Sequence, residues 1–404
     1  MATDISKVLF ELIVILVLAK VGAYIFELLK QPSVLGELCI GILLGNLAFI
    51  TGGRIEIFNF FRTDEFIHLF SEIGVIILLF EIGLQSNIRE LLKVGGPALR
   101  VAVVGVLLPM GLGFWSTTAL GLSKDANVAL FLGATLTATS VGITARVLKD
   151  LGKLNLPESK VILGAAVIDD VLGLIVLAVV TGIVGGGSLG FGSILQTSFM
   201  AILFLGGSIL IGLWVAPRLI NIFQRFEVRG NKLAISLGIC FSMALLAKKA
   251  GLAPIVGAFA GGLILDNVYF VKYKEQRPLE EILSPIGDLF VPVFFVVIGM
   301  GVHLELIFQS QIILIGTLLL AVAIVGKFVA GWAVLPQKMN FAAIGFGMIP
   351  RGEVGFIFAS EGLRLGVLSN QLYAVIIFLV MATTLISPPL LNLSLKRTFV
   401  TPKS

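Results

Sequence analysis

The sequence predicts an all-α polytopic membrane protein of about 13 transmembrane helices, built from inverted repeats that each contain a broken helix. Three observations predict it. Hydrophobic residues fill 57% of the 404 positions and charged residues only 13%, with a mean hydropathy of +1.07. A soluble domain carries about 25% charge. Apolar runs of spanning length recur from end to end, a helix needing about 20 residues to cross about 30 Å of hydrocarbon. Two of these runs, far apart in the chain, are interrupted at mid-depth by polar or helix-breaking residues, as in transporters folded from repeats.

The first span covers about 8–29. It is too long for the apolar core of a signal peptide, and Met1–Lys7 lacks the basic opening of one, so it reads as a membrane helix. Further spans follow at about 34–50, 66–85, 98–120, 127–148, 161–184 and 195–217. The second half carries spans at about 232–248, 251–266, 283–301, 311–334, 341–363 and 371–394. Only a tight turn after Lys248–Lys249 separates the eighth from the ninth. The 46 glycines suit close helix approach in lipid. Cys39 and Cys240 lie in apolar segments and read as packing residues, with no disulfide or metal site implied. His68 and His303 sit near segment ends and carry no role.

The positive-inside rule tests this order. With the N-terminus outside, Lys7, Arg54, Arg62, Lys124, Lys248, Lys249 and Arg364 fall on the outer side, and Lys20, Lys327 and Arg351 inside spans. The rest of the 29 Lys and Arg residues collect on the opposite side. A misplaced span would scramble this alternation. The asymmetry therefore predicts an odd number of spans, an outside N-terminus and a cytoplasmic C-terminus. The net charge of +5 is spread over short loops and is no nucleic-acid signal.

Spans 4–6 and 11–13 form the candidate inverted pair, because each triplet has an interrupted middle helix. The chain is thereby divided into scaffold helices at 1–97, core helices of the first repeat at 98–184, and a linker helix at 185–230. A second scaffold segment follows at 231–310, then core helices of the second repeat at 311–395 and a cytoplasmic tail at 396–404. No Gly-x-Gly-x-x-Gly module follows the membrane part, so no nucleotide-binding domain is expected, and no cofactor.

The chemistry centres on Asp169–Asp170, in the apolar run from Val161 to Val184. Two mid-membrane carboxylates cost about 2.5–3.5 kcal/mol each on insertion scales, so something must compensate them. They read as a site for a cation, a proton, or both in turn. The first interruption, Thr135–Thr144, is dense in hydroxyls, with Gly142 available for non-helical backbone; unwound, its carbonyls and hydroxyls can replace a cation's water. The second, Gly345–Gly355, contains Pro350, which removes a backbone donor, and Gly352. Arg351 and Glu353 read as structural charges around that break. Lys327 lies too deep in span 11 to reach the interface comfortably, and a buried lysine needs a carboxylate or loses its proton. Adjacent residues on a helix diverge by about 100°, so one aspartate can face Lys327 while the other faces the breaks. Glu37 and Glu81 read as interfacial or capping acids.

Leu35–Gly45, the stretch ending Ser140–Thr144, Ile168–Val171 and Pro350–Gly355, in this order and with Lys327, resemble the cation:proton antiporter-2 family over essentially the whole chain. The Asp-Asp pair is similar to that of its thirteen-span bacterial sodium/proton antiporters. Asn46 and Gln85 depart from the family pattern, which has proline after Gly45 and a glutamate after Gly83–Leu84. The resemblance implies a Na+ and proton site at Asp170, with Asp169 as the partner of Lys327. Thr139 and Ser140 would line the site where the broken helices cross. Na+ would sit at Asp170 and Asp169 as cargo, not as a structural metal. The resemblance also implies a homodimer with a moving core, and no enzymatic activity.

The function expected from these residues is exchange of Na+, or Li+, for H+ across a bilayer by elevator-like alternating access, with net charge movement. A K+/H+ antiporter is the alternative, and a gated cation channel a more distant one. Adjacent aspartates on one helix fit poorly with an intramembrane aspartyl protease, which needs them on separate helices. A bacterial inner membrane is the expected location.

Overall fold

The computed structural model describes residues 5–51, 64–85, 94–184, 203–204, 206–207, 214–215, 218, 230–250, 252–265, 277–302, 304–307, 309–335 and 337–396. Every regular element among the described residues is a helix, and none is a strand. Seven helices among them are long and apolar enough to cross a membrane. The predicted seventh span falls almost wholly outside the described residues, as do His303 and nearly all of the predicted tail.

The first helices are α1 (Ile5–Leu28), α2 (Ser33–Gly45), α3 (Leu47–Ile50) and α4 (Glu65–Gln85). Then come α5 (Gly95–Ala119), α6 (Ala126–Thr135), α7 (Val141–Asp150) and α8 (Pro157–Val184). After them follow α9 (Asn231–Lys249), α10 (Pro254–Ile264), α11 (Leu279–Met300) and α12 (Leu304–Ile307). The last are α13 (Ser310–Ala330), a 3-10 turn at Gly331–Val334, α14 (Phe341–Gly347), α15 (Glu353–Arg364) and α16 (Asn370–Lys396).

The differences from the predicted spans have local causes. Span 2 stops at Gly45 because Asn46 turns the chain: its side-chain amide donates to Ile42 O (2.7 Å) and Val302 O (2.8 Å), and its oxygen accepts from Leu304 N (2.9 Å). A proline at this position could make none of these side-chain bonds. Span 6 starts early, with Pro157 at the first helical position, where its missing N–H costs nothing. Spans 5 and 12 each divide into two helices, α6 with α7 and α14 with α15.

The chain forms two compact units. One comprises Met1–Leu16, Glu65–Lys93 and Gly190–Phe294. In it α10 packs against α4 and α9. Gly83 and Gly262 let the α4 and α10 backbones touch: a Cβ added at Gly83 would lie 2.3 Å from Phe259 O. Buried Phe80, Cys240, Ile264 and Leu283 belong to one apolar cluster here. Glu81 is buried, with its carboxylate over Gly287, rather than placed at an interface.

The second unit comprises Val17–Asp64, Val94–Leu189 and Phe295–Ser404. Here α8 packs against α5, α6, α7 and α14, while α13 packs against α5, α14 and α16. Phe131 and Phe358 meet edge to face at 6.3 Å between centroids, joining α6 to α15. Glu37, read as interfacial, is buried and takes Arg146 Nη2 at 3.4 Å. Arg146 Nε also reaches Asp150 Oδ1 at 2.9 Å, and Ser33 Oγ donates to Asp150 Oδ2 at 2.6 Å. These contacts tie α2 to α7.

Candidate functional site

Two interruptions of helix create the site. The first lies between α6 and α7, at 136–140, and the second between α14 and α15, at 348–352. Each break exposes one helix C-terminus and one helix N-terminus, whose orphan carbonyls and N–H groups carry partial charge. A break inside apolar surroundings is stable only if those groups find partners.

The two breaks supply each other. Ser140 N donates to Pro350 O at 2.7 Å. Thr139 Oγ1 donates to Met348 O at 3.2 Å, and Thr144 Oγ1 to Gly347 O at 2.7 Å. Gly352 faces Ser140 so closely that an added Cβ would stand 2.6 Å from Ser140 Oγ. Helix α16 closes the second break from its other side: Thr384 Oγ1 donates to Arg351 O, and Ser387 Oγ to Phe346 O at 2.8 Å. Asn340 caps α14, accepting from Ala343 N at 3.1 Å. Its own N–H donates to Glu158 Oε1 at 3.0 Å, so the start of α14 is fixed to α8.

The position of the first break corrects one sequence expectation. Gly142 is not part of it; it is the second residue of α7 and is helical. The unwound residues lie just before it, because the carbonyl of Pro350 captures the Ser140 N–H that would otherwise bond within a continuous helix. Pro350 and Gly352 do lie in the second break.

Asp169 and Lys327 meet in the interior. Lys327 Nζ lies 3.2 Å from Asp169 Oδ1 and 3.4 Å from Oδ2. The side chains are 0% and 1% exposed. The lysine runs over Gly105 of α5, where a Cβ would lie 3.5 Å from Nζ. Thr139 Oγ1 is within reach of the same carboxylate. Asp170, next on α8, is also buried and acts electrostatically on Lys327. Arg351 is 1% exposed and acts electrostatically on Asp169 and Lys327. The structure thus gathers Thr139, Ser140, Asp169, Asp170, Lys327, Pro350, Arg351 and Gly352 at one place. The side chain of Glu353 lies outside the described residues.

Two buried carboxylates beside two buried cations make an arrangement of low net charge in a poorly solvating interior. Removing or adding one positive charge there changes the energy of every other group. Such a site can take a cation or a proton, and each opposes the other. Among the described residues no group of three or more His, Cys, Asp or Glu could hold a resident metal. Thr144, Thr384 and Ser387 are part of the construction without having been singled out beforehand as site residues. Hydroxyls in apolar helices are common, and a sequence does not reveal which of them bond to a distant break.

The chain matches the family described as sodium/hydrogen exchanger, transmembrane, over residues 13–396. It is 40% identical to the high-affinity Na(+)/H(+) antiporter NhaS3 of Synechocystis sp., across 96% of this chain and 90% of that protein. It is 34% identical to the Na(+)/H(+)-K(+) antiporter GerN of Bacillus cereus, across 95% of each. Its fold is similar to that of the sodium proton antiporter MjNhaP1 of Methanocaldococcus jannaschii, with a TM-score of 0.70 at 20% identity, covering 100% of both chains.

Proposed function

The chain belongs to the sodium/hydrogen exchanger family, a family of transporters rather than enzymes, and from that premise we propose that it exchanges Na+ for H+ across a membrane. One observation carries the proposal: Asp170 is buried next to Asp169, whose carboxylate pairs with Lys327 and lies within reach of Thr139 of the first break.

Asp170 is the carrier. Facing low proton activity it is ionised and binds Na+; facing high proton activity it is protonated and releases the ion. A neutralised site crosses the low-dielectric barrier more readily than a bare carboxylate, because uncompensated buried charge costs several kcal/mol, on the order of 3–5. That penalty couples the two fluxes without a covalent step. Lys327 balances Asp169, and the carbonyls and hydroxyls around Thr139 and Ser140 replace water around the ion. Release of the Lys327 proton as Na+ binds would move two protons per cation. The exchange would then be electrogenic, each net charge worth about 2.3 kcal/mol per 100 mV.

Movement is elevator-like: core helices at 98–184 and 311–395 carry the site past a scaffold at 1–97 and 231–310, with 185–230 as linker. Both core segments fall in one compact unit, which also holds 17–64 and 295–310 of the proposed scaffold. The protein works as a homodimer in a bacterial inner membrane, with its N-terminus outside and the 396–404 tail in the cytoplasm. Li+ is the expected second substrate. K+ is kept as the alternative because a relative at 34% identity carries K+ in its name.

The test is cation-dependent proton movement in proteoliposomes, titrated with Na+, Li+ and K+. Saturable exchange with Na+ that responds to an imposed membrane potential is expected. Cation flux that leaves the vesicle pH unchanged would contradict it.

A further inference from the structure

Arg351 is among the largest fully buried side chains of the protein, and its surroundings are unusual. Its carbonyl is held by Thr384. Among the described residues, however, none of the three guanidinium nitrogens has a hydrogen-bond partner. A guanidinium keeps its charge and offers five N–H donors in a rigid fork suited to a carboxylate. Leaving such a group buried and unbonded is costly. The neighbouring acid is Asp169, close enough to act on it electrostatically and already engaged by Lys327. Lys327 and Arg351 are therefore two buried cations beside one carboxylate, with only the lysine bonded to it.

We propose that Arg351 is a positioning residue of the ion site, the second partner of Asp169, which takes over the Asp169 carboxylate when a cation entering at Asp170 drives Lys327 away. The inference rests on the exchange reading above. A cation at Asp170 repels the Lys327 ammonium. Without a second partner, Asp169 would be stranded as a buried lone carboxylate, and the cation-loaded state would be penalised. The Arg351 fork removes that penalty. Its place is between Pro350 and Gly352, where the backbone is held by Thr384 rather than by a helix.

The hand-over and simple charge repulsion predict opposite signs. As a mere positive charge near the site, Arg351 weakens cation binding, and its removal would lower the half-saturating Na+ concentration. As the second partner of Asp169 it strengthens the loaded state. In proteoliposomes at fixed pH, Arg351→Gln is expected to raise half-saturating Na+ about tenfold, the worth of one charge-assisted bond, with a smaller change in maximal rate. Arg351→Lys keeps the charge but loses the fork, and is expected to raise it about threefold. An unchanged or lowered half-saturating Na+ in Arg351→Gln would overturn the proposal, as would loss of maximal rate alone. If Arg351→Gln does not fold, Arg351→Lys decides: a rise supports the proposal, and a value at or below wild type overturns it. Wild-type protein without Na+-dependent exchange would instead overturn the exchange reading, and this proposal with it.

Discussion

Ser140 donates its backbone N–H to the carbonyl of Pro350 at 2.7 Å, so each helix break satisfies a group that the other leaves open. The breaks are one structure made from two distant stretches of chain. Disturbing either one should disturb both.

Gly352→Ala tests that interdependence. The new Cβ would stand 2.6 Å from Ser140 Oγ, 3.0 Å from Ser140 Cβ and 3.3 Å from Ile143 Cδ1. Overpacking of this kind costs about 1–3 kcal/mol. The unfolding midpoint of the detergent-solubilised protein should fall, along with exchange. Adding Ser140→Ala removes the closest atom and should recover part of the loss; a double variant worse than Gly352→Ala would contradict the contact.

Lys327→Met should be more damaging than the pair Lys327→Met with Asp169→Asn. The single change strands a buried carboxylate, at about 3–5 kcal/mol, whereas the double change removes both charges. Thermal unfolding of the four members of the cycle measures the coupling. Additive effects would mean that the 3.2 Å contact contributes nothing to the fold.

Arg146→Met removes the contact to Glu37 that joins α7 to α2, and the contact to Asp150 within α7 that holds the guanidinium in place. Loss of partly buried, charge-assisted bonds of this type costs about 1–3 kcal/mol. A lowered unfolding midpoint is expected. Arg146→Lys should recover only part of it, since a lysine cannot present a fork to two acids.

Competition at one site fixes the pH dependence. Where Na+ displaces the Asp170 proton alone, half-saturating Na+ should rise about tenfold per unit fall in pH by mass action, and release of the Lys327 proton as well steepens this toward about a hundredfold. Maximal rate at saturating Na+ should change far less. Exchange measured over a range of pH would show this, and a half-saturating concentration independent of pH would contradict competition.

Much of this architecture was legible in the sequence because charge in apolar surroundings is costly. Asp169 and Lys327 stood out on that ground alone, and they pair. Pro350 marked the second break because it removes a backbone donor wherever it sits. The first break was harder to place. Gly142 looked like the weak point, yet it is helical, since the unwinding is imposed from outside by the Pro350 carbonyl rather than by a local residue. The same limit hid Thr384 and Ser387, whose hydroxyls become site elements only when folding brings α16 against the second break. Glu37 and Glu81 read as interfacial acids from their positions near span ends, but burial depends on which helices pack beside them, and that is not a local property.

The most direct test of Asp170 as the ion and proton carrier is Na+-dependent proton exchange in proteoliposomes, wild type against Asp170→Asn. The variant keeps the Asp169–Lys327 pair and should reconstitute as folded protein. It is predicted to exchange no faster than protein-free liposomes, with Na+, Li+ and K+ alike. Undiminished Na+/H+ exchange by folded Asp170→Asn would contradict the account at its centre.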